Sequence, residues 1–280
     1  MDLEIIRSRN PKIVAFPASA LGVVAPANPA AARAVFGANP DVMLAVDGPM
    51  FEYCEGQPHD YAVYTCGTVR YLLQDNLSGV SVPGLPGYED KGITISVVGG
   101  TAIGSLRRSP VPGASVAIQL SIGLVEDGAI GVRDHPPDDP SGQNDHRLAV
   151  GIMPDGKIAF AYARAPVYEF AVMLRDAGMR WAGYTDGGGS SSLVMRKPDG
   201  SLEGTDADDP DGRRVPSWIV ARVTPDVWQE SPERPQIEPQ DSVRYIDKTS
   251  FLDDEENVRY GSLGLAAAGL LLAYALLRKR

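Results

Sequence analysis

The sequence predicts an α+β fold: a mostly antiparallel sheet with a few flanking helices, then a polar linker and an apolar C-terminal helix. Three observations carry this expectation. Apolar runs are short and bounded by Gly, Pro and Asp, the punctuation of strands and turns. Apart from the C-terminal tail, only two segments read as helices. Gly (30) and Pro (23) are abundant in a chain of 280 residues that is 44% hydrophobic and 22% charged, so turns are many while a core remains within reach.

Residues 28–37, NPAAARAVFG, form the first expected helix, with Asn28 as N-cap, Pro29 at the first helical position and Gly37 at the stop. VMLAV (42–46) is a continuous apolar run of strand length, and DGPMFE (47–52) turns after it. ITISVV (93–98) and SVAIQLSIGLV (115–125) are further strands, and Asp127-Gly128 signals a hairpin. Residues 133–146 form a long polar loop without periodicity. Residues 148–163 read as a hairpin turning at Pro154-Asp155-Gly156. In VYEFAVMLRDAG (167–178), Val167, Phe170, Ala171 and Leu174 recur at helical spacing and Gly178 closes the helix. MRWAGYT is a strand, SLVMR another, residues 199–213 an acidic loop and VPSWIVARV (215–223) a last strand.

These elements define a domain over residues 1–225, a Pro- and acid-rich linker over 226–258 and a tail over 259–280. Residues 261–277 carry no charge and precede Arg278-Lys279-Arg280. Seventeen helical residues reach about 25 Å, close to the hydrocarbon core of about 30 Å. The run is apolar all round, and Gly264, Ala268, Gly269 and Ala273 give small-xxx-small spacing, so membrane association is expected; a buried C-terminal helix is the alternative. Asp253 to Glu256 before the tail and the basic end after it fit a cytoplasmic basic end. The N-terminus lacks an ordinary signal peptide.

A net charge of −10 speaks against nucleic acid as partner and requires any phosphate site to be built locally. Cys54 and Cys66 are too few for a cysteine zinc site, and they read either as a pair or as two small buried side chains. His59, His135 and His146 are scattered. Asp206, Asp208, Asp209 and Asp211 lack the EF-hand order, with Pro210 where a ligand should stand; the loop reads as surface acidity, with calcium the cation it would suit. No cofactor is expected, and no metal ligands are assigned.

The most informative stretch is YTDGGGSSSLVMR, residues 184–196. A flexible linker needs polar flanks, and here two apolar strands meet. A phosphate-binding P-loop needs a Lys and a following helix, both missing. A nucleophile elbow needs Gly-x-Ser-x-Gly, also missing. What remains is a carboxylate, Asp186, at a strand end, with three glycines that let backbone N–H groups approach a ligand and serines that add donors. An Asp capping its own turn is the competing explanation.

This stretch resembles the strongest motif of the phosphodiester glycosidases, in which an acid, three glycines and two serines follow a helix and an Ala-rich strand; here it stands as Asp186-Gly187-Gly188-Gly189-Ser190-Ser191. Three further stretches are similar to that family in the same order: Asp47-Gly48-Pro49-Met50-Phe51, then Arg147-Leu148-Ala149-Val150-Gly151 with Asp155-Gly156, then Arg214-Val215-Pro216-Ser217. Together they cover about residues 40–222. The chain departs from the family at Asp47 and Ser217, each replacing an Asn.

The resemblance implies cleavage between a sugar's anomeric carbon and a phosphodiester oxygen, with a sugar phosphodiester or other glycan as substrate. On that implication, Asp186 faces the sugar or activates water, with Asp47 and Glu52 as second carboxylates. Arg147 and Arg214 would take phosphate in bidentate fashion. Gly48, the Gly187, Gly188 and Gly189 amides, the Ser190 and Ser191 hydroxyls and Ser217 would line the substrate. A non-catalytic carbohydrate-binding or structural surface protein of the same fold is the alternative.

Overall fold

The computed structural model describes residues 3–7, 10–53, 67–85, 92–106, 109–132, 142–187, 191–204, 214–222 and 228–229. The linker beyond 229, the apolar tail, both cysteines, His59, His135 and residues 205–213 of the acidic loop lie outside them, while Leu202–Glu203 of that loop form a short strand. Among the described residues no helix is long and apolar enough to cross a membrane.

The elements run β1 (Leu3–Arg7), β2 (Lys12–Phe16), β3 (Leu21–Val24), α1 (Ala32–Ala38), β4 (Val42–Asp47), β5 (Phe51–Tyr53), β6 (Gly67–Val69), β7 (Leu73–Asp75) and β8 (Val80–Val82). They continue with β9 (Ile93–Val98), β10 (Thr101–Ser105), β11 (Val116–Leu120), β12 (Ile122–Glu126), β13 (Ala129–Ile130), β14 (Asp145–Ile152), β15 (Ile158–Ala165) and α2 (Val167–Asp176). The last are β16 (Trp181–Gly187), β17 (Leu193–Arg196), β18 (Leu202–Glu203), β19 (Trp218–Arg222) and β20 (Trp228–Gln229).

Three main sheets result: an eight-stranded one in the order β13-β12-β16-β14-β15-β2-β1-β20, and two five-stranded ones, β10-β9-β11-β7-β8 and β18-β17-β4-β19-β3. Pairing is antiparallel except where β20 runs parallel to β1. This is the expected mostly antiparallel architecture, richer in strands than the sequence suggested and carrying two α-helices among the described residues.

Side-chain alternation along the strands builds the core. On one face of the large sheet, Phe16, Leu148, Val150 and Phe160 meet Leu44, Val46, Ile93, Ile118 and Ile219 from the two smaller sheets. On its other face stand small residues, Ala15, Ala149, Ala159, Ala161 and Ala182, against which α2 lays Phe170, Ala171 and Leu174. The alanines let the helix approach closely. Helix α1 packs Val35 and Phe36 on Trp218 and Val220 at the far side of β4 and β19.

Several expected elements hold with little change: β4, β9, the β14–β15 hairpin, and α2, which Gly178 closes at φ +91°. Asp127 and Gly128 both adopt positive φ, 51° and 87°, in the turn between β12 and β13. Others need correction. The first helix begins at Ala32, not near Asn28, because Ala30 exchanges both backbone hydrogen bonds with Val215, at 3.0 and 3.1 Å, and so stays extended; Gly37 lies inside the helix. The run 115–125 is two strands in different sheets, broken at Ser121, whose N–H and hydroxyl both donate to the Tyr184 carbonyl. The chain after β4 turns only at Gly48–Met50 before β5 begins. The polar loop ends earlier than expected, since Asp145 and His146 already pair in β14. Within the segment read as linker, Trp228–Gln229 pairs with Leu3–Glu4.

Candidate active site

Four strand ends converge where the sequence places its motifs: the C-terminal ends of β4 and β16 and the starts of β14 and β19. Backbone bonds join them. The Asp47 N–H donates to the Ser192 carbonyl (3.3 Å), Gly48 N–H to the Ser217 carbonyl (2.9 Å) and Met50 N–H to the Thr185 carbonyl (3.1 Å). The turn after β4 thus ties the entry and exit of the glycine-rich turn to the start of β19. Asp47, Gly48, Asp186, Gly187, Ser191 and Ser217 are brought together by this network. Gly188, Gly189 and Ser190 lie outside the described residues. Glu52 sits on β5, paired with Thr68.

Arg147 is the hub. Strand pairing sets it opposite Gly187, and its side chain is only 6% exposed. Its Nε–H donates to the Ala165 carbonyl, Nη1 to the Tyr184 hydroxyl and Nη2 to the Gln143 carbonyl, each at 3.1 Å. The guanidinium also stands 6.0 Å from the centre of the Tyr184 ring. At least three of its five N–H bonds therefore serve the protein. The sequence suggested a bidentate phosphate clamp; the observed geometry is that of a residue holding the floor of the turn.

Tyr184 completes this floor, and sequence reading missed it. No local signal could have found it: Tyr184 pairs with Ala149 and Gly187 with Arg147, and the register irregularity between them brings Tyr184 and Gly187 to one face, which simple strand alternation does not give. Burial drives the Tyr184 phenol up to about 12, the Arg147 charge opposing the rise and the Asp186 and Asp145 carboxylates adding to it. Gly187 is required here for packing, since a Cβ would stand 1.6 Å from the Tyr184 hydroxyl and 3.2 Å from Arg147 Nη1. Gly48 has a similar reason, as its Cβ would lie 2.0 Å from Ser217 Oγ.

Asp186 accepts a hydrogen bond from Gly187 N–H at 2.8 Å, the self-capping arrangement, which also fixes the carboxylate's direction. Asp47 is fully buried at the end of β4. Ser191 turns its hydroxyl to the His146 carbonyl (3.4 Å) and is buried. Thr185 Oγ1 and Ser217 Oγ are buried without a hydrogen-bond partner among the described residues. Arg214 is exposed and lines an open groove with Pro29, Ala31 and Arg33 of the α1 region. Among the described residues, no three His, Cys, Asp or Glu side chains gather to hold a metal ion.

The phosphodiester glycosidase family model matches residues 40–222, well over half of the chain. The catalytic domain of zebrafish N-acetylglucosamine-1-phosphodiester alpha-N-acetylglucosaminidase, in a form auto-inhibited by its pro-peptide, has a similar fold, with 15% identity and a TM-score of 0.54 over 76% of this chain and 77% of that one. A hypothetical protein from Synechocystis is similar at 12% identity and a TM-score of 0.47, over 76% of this chain and 59% of that one. No curated protein matches the sequence.

Proposed function

This chain belongs to the phosphodiester glycosidase family, and from that premise we propose that it hydrolyses the bond between a sugar's anomeric carbon and a phosphodiester oxygen, on an N-acetylglucosamine-1-phosphodiester-like substrate. The observation that carries the reading is the Arg147–Tyr184–Gly187 floor beneath Asp186, a rigid and partly desolvated setting for one oriented carboxylate.

The chemistry fits this setting. Bond cleavage leaves a phosphomonoester already stable as an anion, so strong protonation of the leaving group is unnecessary. The site must hold the phosphate and stabilise the oxocarbenium-like carbon that forms. Asp186, held by Gly187 N–H, faces that carbon. The positive guanidinium of Arg147 stays beneath the turn and orients it; Arg214, exposed beside α1, is the phosphate-binding arginine of the reading. Asp47 and Glu52 are the second carboxylates of the reading; Gly188, Gly189 and Ser190, outside the described residues, are the substrate-binding residues the family resemblance implies, whereas Ser217 is buried. The uncharged 261–277 segment tethers the domain to a membrane, a reading supported by its sequence alone.

The test uses the full chain with an aryl phosphodiester of N-acetylglucosamine, following sugar release beside an Asp186→Asn variant. Release should fall at least about 10²-fold in the variant without loss of fold. Failure of the wild type to release sugar from several sugar phosphodiesters would favour a carbohydrate-binding protein of the same fold.

A further inference from the structure

We propose that the outer edge of β10 is a docking surface for a second copy of this chain, the two β10 strands pairing antiparallel about a two-fold axis through Ile103; this stands independently of the hydrolase reading. β10 is an edge strand, joined to β9 on one side and to no other described strand on the other. Such an edge offers a row of backbone donors and acceptors, and proteins guard it by shortness, burial, charge, Pro or a bulge. The other sheet edges among the described residues are guarded. β13, β18 and β20 have two residues each, β5, β6 and β8 have three, and β3 is buried over Leu21, Gly22 and Val23. β10 has five residues with no Pro and no charge, and it pairs with β9 from Thr101↔Val98 to Ser105↔Thr94 without a bulge. Residues 92–106 carry no charge in a chain of net charge −10, so like charges on the strand itself do not hold two such edges apart. Three large apolar side chains stand exposed among the described residues, and two of them belong to this edge: Ile103 is 37% and Leu106 55% exposed, the third being Leu77.

The geometry of the strand selects the occupant. Gly99 and Gly100, at φ 55° and 80°, form the two-residue turn between β9 and β10. In such a hairpin the flanking pair, Val98 and Thr101, exchanges both backbone bonds, and alternation then directs the backbone groups of Thr101, Ile103 and Ser105 to β9. The N–H and C=O groups of Ala102 and Gly104 therefore point outward. A two-fold axis through Ile103 sets Ala102 of each copy against Gly104 of the other, which makes four backbone hydrogen bonds. Ile103 then faces its own counterpart in a non-hydrogen-bonded pair, where Cα atoms lie about 4.5 Å apart and side chains come closest. The side chains suit this register. Ala102 and Gly104 lie on the inner face, Ala102 packed on the core and Gly104 on the Trp181 ring, 2.2 Å from which a Cβ would stand. Ile103 lies on the outer face, where two copies bury each other's isoleucine. Another protein would have to bring a matching neutral strand; a second copy supplies it by symmetry.

The experiment is sedimentation of the full chain, in mild detergent because of the uncharged 261–277 segment, for the wild type, Ile103→Lys and Ala102→Pro, with circular dichroism to confirm the fold. The wild type should be a dimer. Ile103→Lys, which opposes two like charges across the axis, should stay folded and weaken the dimer by at least about tenfold. Ala102→Pro removes an outward donor and no bond to β9, and should weaken it too. A second arm reads the register: with Cys54→Ser and Cys66→Ser as background, Ile103→Cys should cross-link two copies on mild oxidation, since a Cα separation of about 4.5 Å admits a disulfide. Leu77→Cys, exposed on the turn between β7 and β8, should not. A monomeric wild type overturns the proposal. A dimer that both Ile103→Lys and Ala102→Pro leave intact also overturns it, because the contact then lies elsewhere, as in the apolar tail. So does an Ile103→Cys protein that cross-links no faster than Leu77→Cys.

Discussion

Replacing Gly187 by Ala tests the floor of the site directly. The new methyl would sit 1.6 Å from the Tyr184 hydroxyl, 2.8 Å from its ring carbon Cζ and 3.2 Å from Arg147 Nη1. Neither neighbour can retreat easily. The phenol is buried in the α2-facing core, and the guanidinium is tied to Ala165 and Gln143. Overpacking of this kind costs about 1–3 kcal/mol. Displacing Tyr184 also breaks its bond to a charged partner, about 1.5–3 kcal/mol. The expected loss is therefore about 3–5 kcal/mol, a fall in Tm of about 6–20 °C for a domain of this size. Thermal melts of the wild type, Gly187→Ala, Tyr184→Phe and the double variant provide the assay. Removing the hydroxyl eliminates the worst contact, so the double variant should be at least about 1 kcal/mol more stable than the two single losses predict. Strict additivity, or a Gly187→Ala protein that melts with the wild type, would refute the packing argument.

Tyr184 also predicts a pH dependence. Its folded-state pKa is raised from 10.0 to about 12, so the neutral phenol is the form the fold stabilises. The contribution is present in full below pH 10 and is lost as pH rises through 12, at most about 3 kcal/mol; denaturant midpoints across that window should decline more steeply for the wild type than for Tyr184→Phe. Thr185→Val and Ser217→Ala each delete a buried hydroxyl without a partner, and each should raise stability by about 1 kcal/mol, seen as a Tm higher by about 2–4 °C. A lower Tm in either would show that the hydroxyl is satisfied in solution.

How much of the site was legible depends on the range of the interactions that build it. Asp186 and the following glycines stand out in one dimension because turn chemistry is local. The place of Tyr184 under Gly187 was not readable, because it depends on the register irregularity between β14 and β16. Arg147 was found as a residue but its supporting role was not, since its acceptors at Gln143, Ala165 and Tyr184 come from three different places in the chain. Arg214 was paired with it by order of motifs, whereas the fold sets it against α1.

By itself, the sequence determined the features that a few consecutive residues can enforce: the positive-φ turn at Asp127-Gly128, the Pro154-Asp155-Gly156 hairpin, the apolar stripe of α2, the buried runs of β4 and β9, and the order of the family motifs. Tertiary structure decided the rest. Only pairing with Val215 delays α1 to Ala32, only the Tyr184 carbonyl breaks the run 115–125 at Ser121, and only the meeting of strand ends makes Arg147 a support of the turn. The physical reason is one of reach. Backbone preference and side-chain period act over four or five residues, while the partner of a buried hydrogen-bonding group is chosen by the whole fold, which leaves few such groups unsatisfied.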